Sequence, residues 1–372
     1  MRRAQLLAVL TIATTPAFAG NDNHGKDDQP ATYCVFELGQ LPGLPPGEVS
    51  LDVAGINERD QVVGSISVAG VDATHAFIWD RKRGMRDLGA VPGHVSINAT
   101  AVNEAGTVVG DATDFDSGES LAFVWTRSKG VRTIDSSLGG VTSFATDINR
   151  AGQIVGASQT ASGAFHAFLR DRNGDLLDLG AFPDGSGTSS ATAVNDRGQV
   201  VGTRVVGPVQ DGFLWDGRRG MRPLIEDTTP EAFPFPTDIN ERGEVVGDML
   251  GTEPQRAFRW TRSEGVQFLG TLSGVATDFA TARAINRSGT IVGGSQVSSG
   301  EVHGFVWDRR AGMRDLNELI DAGSELAVQP VLGAALGIND GGSIGLVGFV
   351  PGEDSQRGFL MVPKRHRWER CR

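Results

Sequence analysis

An all-β fold is predicted here, specifically a seven-bladed β-propeller of four-stranded antiparallel blades, and three observations carry the prediction. A unit of the type Ile-Asn-x-x-Gly-x-Val-Val-Gly recurs seven times, with asparagines at Asn57, Asn103, Asn149, Asn195, Asn240, Asn286 and Asn339. The steps between them are 46, 46, 46, 45, 46 and 53 residues, the length of a four-stranded supersecondary unit. Between successive asparagines lies a stretch in which large aromatic and aliphatic residues alternate, the period of a strand.

Each repeat divides into four strands in order. The first is a run of small residues before the asparagine, as in Ser190-Ala191-Thr192-Ala193-Val194. Crowding of the inner strands about one axis explains the small residues two before each asparagine: Gly55, Ala101, Ala193, Ala284 and Gly337, interrupted by Asp147 and Asp238. Asn-x-x-Gly is a turn signature, with asparagine at the first position and glycine where φ is positive; Asp60 replaces that glycine once and is among the residues that tolerate the conformation. The second strand is the apolar pair and glycine, as in Val200-Val201-Gly202. The third is His75-Ala76-Phe77-Ile78-Trp79 and its copies, and a short polar loop such as 80–84 leads to a fourth of the type Met85-Arg86-Asp87-Leu88.

The seventh repeat stops after its third strand, at Phe359 to Val362, while the chain starts with an unpartnered strand of the fourth type, Tyr33 to Gly39. Strand exchange between the ends would therefore complete the last blade and close the ring, leaving no open sheet edge. A parallel β-helix fits less well, because its coil takes about half this period and has no hairpin turn.

Outside the repeats, residues 1–19 have the parts of a secretory signal peptide in order: Arg2 and Arg3, an apolar run from Leu6 to Ile12, then Ala17-Phe18-Ala19. Residues 20–31 read as a polar, disordered leader, 32–363 as the propeller, and 364–372 as a basic tail that folds back on an acidic body. The net charge of −11 argues against a nucleic-acid partner. No stretch reaches the roughly 18 apolar residues of a membrane helix, so no membrane span is expected. The product is expected to be secreted or periplasmic and monomeric.

The two cysteines, Cys34 and Cys371, stand at the two ends of the repeat region. In an exported chain a disulfide between them would lock the termini. The other reading, a small core residue and a second thiol that never meets it, stays open.

Candidate site chemistry is sparse. There is no His-Glu-x-x-His, no Gly-x-Ser-x-Gly, no phosphate loop and no Cys/His cluster, and no cofactor or metal is expected. Asp147 and Asp238 face the expected channel. There they could hold a cation or act as acid and base on a glycoside, or simply accept backbone N–H groups. Asp111, Asp114 and Asp116, with Glu119, have oxygen-ligand chemistry at loop spacing without the full calcium-loop pattern. His75, His166 and His303 share one position in separated blades, which reads as a polar contact to neighbouring backbone. The loops opposite the Asn-x-x-Gly turns differ most among repeats, and that face is the expected binding face.

The alternation of a His-Ala-Phe strand with the Ile-Asn-x-x-Gly-x-Val-Val-Gly hairpin resembles the HAF repeat family over Tyr33 to Val362. Departures are the missing histidine in four repeats, Arg170 in place of the third-strand tryptophan, and a longer seventh repeat read with Gly345 inserted. The resemblance implies export and a repeat fold and supplies no catalytic residue. The leading expectation is a non-catalytic binding or interaction scaffold for an unknown polysaccharide or protein. The alternatives are a glycan hydrolase or lyase using channel-mouth carboxylates, and a structural envelope protein.

Overall fold

The computed structural model of the chain describes residues 32–371 except 45–48, 71–72, 115, 135–137, 182–186, 207–208, 226–232, 252–253, 325, 327, 365 and 367–369. The expected leader at 1–19 and 20–31 lies outside the described residues. Among the described residues, no helix is long and apolar enough to cross a membrane.

Among the described residues the fold is all-β, with 28 strands and a single 3₁₀ turn at Leu316–Leu319. Strand β1 (Tyr33–Glu37) comes first and is followed by β2 (Val49–Ile56), β3 (Val62–Val68), β4 (Thr74–Asp80) and β5 (Gly84–Asp87). The last four form an antiparallel meander, called unit one here. The meander recurs at 96–133, 139–180, 188–223, 233–268 and 280–315, with three strands at 331–363. The fourth position beside the last of these, Gln356–Pro363, is taken by β1, whose register runs from Tyr33 opposite Pro363 to Glu37 opposite Phe359. Units one and two share one eight-stranded sheet through a single parallel pair, Thr74 with Ser96; the remaining sheets are four-stranded.

Two residue types impose this meander. The phenylalanine of each third strand is sealed between neighbouring units: Phe77, Phe123, Phe168, Phe213, Phe258, Phe305 and Phe359 are all buried to within 1 %. Opposite it in units one to six stands the glycine of Val-Val-Gly, and in unit seven Leu346. A Cβ on Gly64, Gly110, Gly156 or Gly293 would lie 1.9 Å from a first-strand carbonyl oxygen, so the two backbones meet there only without a side chain. The apolar clusters also bridge units. Val347 and Leu360 of unit seven pack with Leu51, Phe77 and Trp79 of unit one.

The asparagine does more than open a turn. Its Oδ1 accepts backbone N–H groups inside the turn, from Arg59 and Gln61 in the case of Asn57, while its Nδ2 donates to the carbonyl oxygen of the next unit's asparagine. These links run from Asn57 to Asn103 (2.9 Å), to Asn149 (3.2 Å), to Asn195 (3.0 Å), to Asn240 (3.0 Å), to Asn286 (3.1 Å) and to Asn339 (3.1 Å). Asn339 then donates to the carbonyl of Asn57 (3.0 Å). All seven asparagines are buried, so each link satisfies a donor and an acceptor shut off from water. Asp60, at φ 56, takes the turn position that glycine holds in the other units.

The seventh hairpin corrects one sequence reading. Ile338 pairs Ile344 and Gly337 pairs Gly345, the same register as Ile56 with Val62 and Gly55 with Val63. Gly345 is therefore a substitution at a valine position and not an insertion. It gives way to Val53, whose Cγ1 would lie 3.2 Å from a Cβ there.

Candidate functional site

Every first strand carries a bulge two to three residues before its asparagine, for example between Ala99 and Ala101 and between Ala145 and Asp147. The bulge turns one extra side chain out of the ladder. In four units that residue is a threonine, and its hydroxyl joins neighbouring units. Thr146 Oγ1 donates to the carbonyls of Val155 (3.2 Å) and Ala191 (3.1 Å), and Thr100, Thr192 and Thr237 repeat the pattern. The bulged residues of all seven first strands surround one cavity of about 190 Å³.

Asp147, Asp238 and Arg283 line that cavity. Asp147 Oδ1 accepts the N–H of Ile148 (2.7 Å) and its Oδ2 accepts that of Val194 in the next unit (2.8 Å). Asp238 does the same with Ile239 (2.7 Å) and Ile285 (2.8 Å). Both oxygens of each carboxylate are thus engaged in holding adjacent strands. Burial pushes Asp147 up to about 6, with Asp196 adding to the rise and the two N–H donors opposing it. Burial pushes Asp238 up to about 7, helped by the charges of Asp147 and Glu241. Arg283 is drawn towards Asp248, 3.5 Å from its Oδ2, and Asp248 is itself raised to about 6 by burial.

These shifts carry a stability consequence. A carboxyl whose folded pKa exceeds its unfolded value contributes stability below the unfolded value, near 4, that is lost as pH rises through the folded one. Thermal unfolding is therefore expected to show stability falling between about pH 4 and about pH 7, with about 1 kcal/mol from each of Asp147 and Asp238 after allowance for solvent in the cavity. The Asp147→Asn/Asp238→Asn variant should flatten that slope; an unchanged slope would assign it elsewhere.

The acidic loop does not assemble as a set. Asp111 faces Asn98 (3.4 Å) and Thr113, whereas Asp114 closes its own turn on the N–H of Asp116 (3.0 Å) and the Ser117 hydroxyl (2.8 Å). Among the described residues no group of three or more His, Cys, Asp or Glu side chains is placed to hold a metal ion.

The histidines contact side chains, which corrects the expectation of backbone contact. His75 Nδ1 meets Asp87 (3.1 Å), His166 meets Asp178 (3.0 Å) and His303 meets Asp315 (2.6 Å), each twelve residues on. Those aspartates in turn accept the N–H two residues further along, from Gly89, Gly180 and Asn317, and so fix the exit from the fourth strand. In unit seven the pair is Arg357 with Glu37 of β1 (2.6 Å). In unit five it is Arg256 with Phe268, the guanidinium 5.4 Å from the ring centroid. The threonine links, Arg283 and this substituted pair were all missed from the sequence. Aligning the repeats on the first residue of the third strand would have exposed the last of them.

Cys34 and Cys371 are joined by a disulfide, with their Cα atoms 5.3 Å apart. Lys364, at the start of the tail, pairs with Asp321 (2.8 Å).

Neither a family model nor a curated protein sequence matches the chain. Solved structures do. A puromycin hydrolase aligns over 82 % of this chain and 50 % of its own, with a TM-score of 0.55 at 14 % identity. A prolyl endopeptidase aligns over 81 % and 45 %, with a TM-score of 0.55 at 12 % identity. An acylaminoacyl peptidase from Pyrococcus horikoshii aligns over 84 % and 51 %, with a TM-score of 0.52 at 11 % identity. The chain matches about half the length of each of these proteins. Likeness at this identity is one of fold, and the fold is a β-propeller.

Proposed function

We propose that this chain is an exported seven-bladed β-propeller of the HAF repeat type that acts as a non-catalytic binding scaffold for a polysaccharide or a surface protein. Ring closure by β1 is supported by the asparagine links, which return from Asn339 to Asn57, and by the packing of unit seven on unit one. One observation carries the non-catalytic reading: both oxygens of Asp147 and of Asp238 accept backbone N–H groups of adjacent strands. A general acid or base needs a free oxygen within reach of the proton it moves. The cavity around them, about 190 Å³, also falls below the roughly 300 Å³ at which small-molecule sites begin. The asparagine side chains on one face are engaged in links between units, leaving recognition to the opposite edge, where the loops differ.

A glycan array probed with the mature chain, followed by product analysis on every hit, tests this. Binding without turnover is the expected result. Turnover abolished by Asp238→Asn would replace the scaffold with a glycan hydrolase or lyase. Silence across the array, and with surface-protein extracts, would favour a structural envelope role.

A further inference from the structure

The fifth unit departs from its neighbours at the place where the others are tied down. Where Asp87 and Asp178 cap an N–H group and bind a histidine, Phe268 offers an apolar ring. Phe268 remains 47 % exposed, as does Val275 in the connection that follows. Arg256 makes no ion pair among the described residues, in contrast to its counterpart Arg357, which holds both Glu37 and Glu353. Together with Thr271, Asp278 and Gln255 these side chains line a concavity of about 400 Å³. That volume lies within the range of small-ligand sites. The concavity sits at the beginning of the third strand and the end of the fourth, on the edge opposite the asparagine turns.

We propose that this concavity is a saccharide subsite that takes one neutral hexopyranose ring of a glycan chain. The inference rests on the scaffold reading above and specifies where and what it binds. Three properties select a sugar. The exposed Phe268 ring is a flat apolar surface that suits the C–H face of a pyranose. Arg256 supplies a planar set of donors and Asp278 two acceptor oxygens, which between them can serve hydroxyl groups as both donor and acceptor. Their charges cancel, so the lining does not favour a strongly ionic ligand.

The test titrates cellohexaose, mannohexaose and chitohexaose into the mature chain by calorimetry, with saturation-transfer NMR as a second readout. Wild type is compared with Phe268→Ala, Phe268→Trp, Arg256→Ala and, as a distant exposed aromatic, Phe349→Ala. The expected result is binding of at least one probe, weakened about tenfold or more by Phe268→Ala and retained by Phe268→Trp and Phe349→Ala. Arg256→Ala should weaken it by a smaller factor. Binding that Phe268→Ala leaves unchanged would overturn the subsite and leave the scaffold reading standing. No binding of any probe to wild type would also overturn it, and the wider array then decides the scaffold reading separately.

Discussion

Replacing Cys34 and Cys371 by serine is expected to lower the free energy of unfolding by about 4 kcal/mol, measured by urea denaturation beside the oxidised protein. The bond joins residues 337 apart, and the chain-entropy model assigns roughly 6 kcal/mol to closing a loop that long; measured values of about 2–4 kcal/mol for ordinary disulfides moderate the figure. The native structure gives a further reason to expect a large effect. Strand β1 pairs with a full strand along one edge only, over five residue pairs, while its other edge carries just a bridge from Tyr33 to Ile320 and the bond from Val35 N–H to the Ser324 hydroxyl. Around it lie the contacts of Lys364 N–H with the Thr32 carbonyl (2.9 Å), Asp321 N–H with the Tyr33 carbonyl (2.8 Å), and Lys364 with Asp321. Such end contacts can open without unfolding the rest of the chain. In the double variant, amide exchange over β1 should therefore quicken more than exchange over Val62–Val68. A loss below about 1 kcal/mol would mean that this ladder and the burial of Leu38 and Leu41 suffice to hold the ends.

What the sequence made legible was whatever repeats with a period. The asparagine turn, the alternating third strand and the fourth-type strand at the chain start could each be placed from spacing alone, because a strand or turn is a local object. Bonds between units are not local. Nothing in Asn57 announces that its Nδ2 reaches the carbonyl of Asn103, 46 residues on, since that depends on how two units sit side by side. The same holds for Thr146 with Ala191 and for Asp147 with Val194. Asp147 and Asp238 could be singled out because they interrupt a row of small residues, but their use in holding strands together became apparent only once the partners were known. The glycine of Val-Val-Gly is an intermediate case: its recurrence was visible, whereas its cause is a carbonyl 1.9 Å from where a Cβ would stand. The histidine partners were within reach, because the twelve-residue interval to Asp87, Asp178 and Asp315 is constant; the fourth strand was read for its apolar residues and its aspartates were passed over. Phe268 was missed for the same reason. A departure is informative only after the rule it breaks has been recognised.

The second large effect comes from another departure in unit five. Arg259→Leu alone is expected to cost about 3 kcal/mol, whereas Arg259→Leu combined with Glu244→Gln should fall within about 1 kcal/mol of wild type. Arg259 occupies a third-strand position that is aliphatic in the other units, at Ile78, Val124, Leu169, Leu214, Val306 and Leu360. Its side chain is 1 % exposed, with one nitrogen 2.6 Å from Glu244 and another 3.0 Å from Glu264. Glu244 stands where units one, three and four have Gln61, Gln153 and Gln199, which accept from the turn asparagine as Glu244 accepts from Asn240 (2.7 Å). The two substitutions in unit five are therefore complementary. Burial acts to raise the Glu244 carboxyl, but the hydrogen bonds from Arg259 and Asn240 hold it below its usual value. Removing Arg259 strands that charge, and the penalty should shrink as pH falls towards 4 and Glu244 takes up a proton. Restoring glutamine removes the charge and keeps the acceptor for Asn240. A double-mutant cycle by urea unfolding at pH 7 measures the coupling. Additive losses would mean that Glu264, half exposed and already bound to Arg309 (2.7 Å), is the partner on which Arg259 depends.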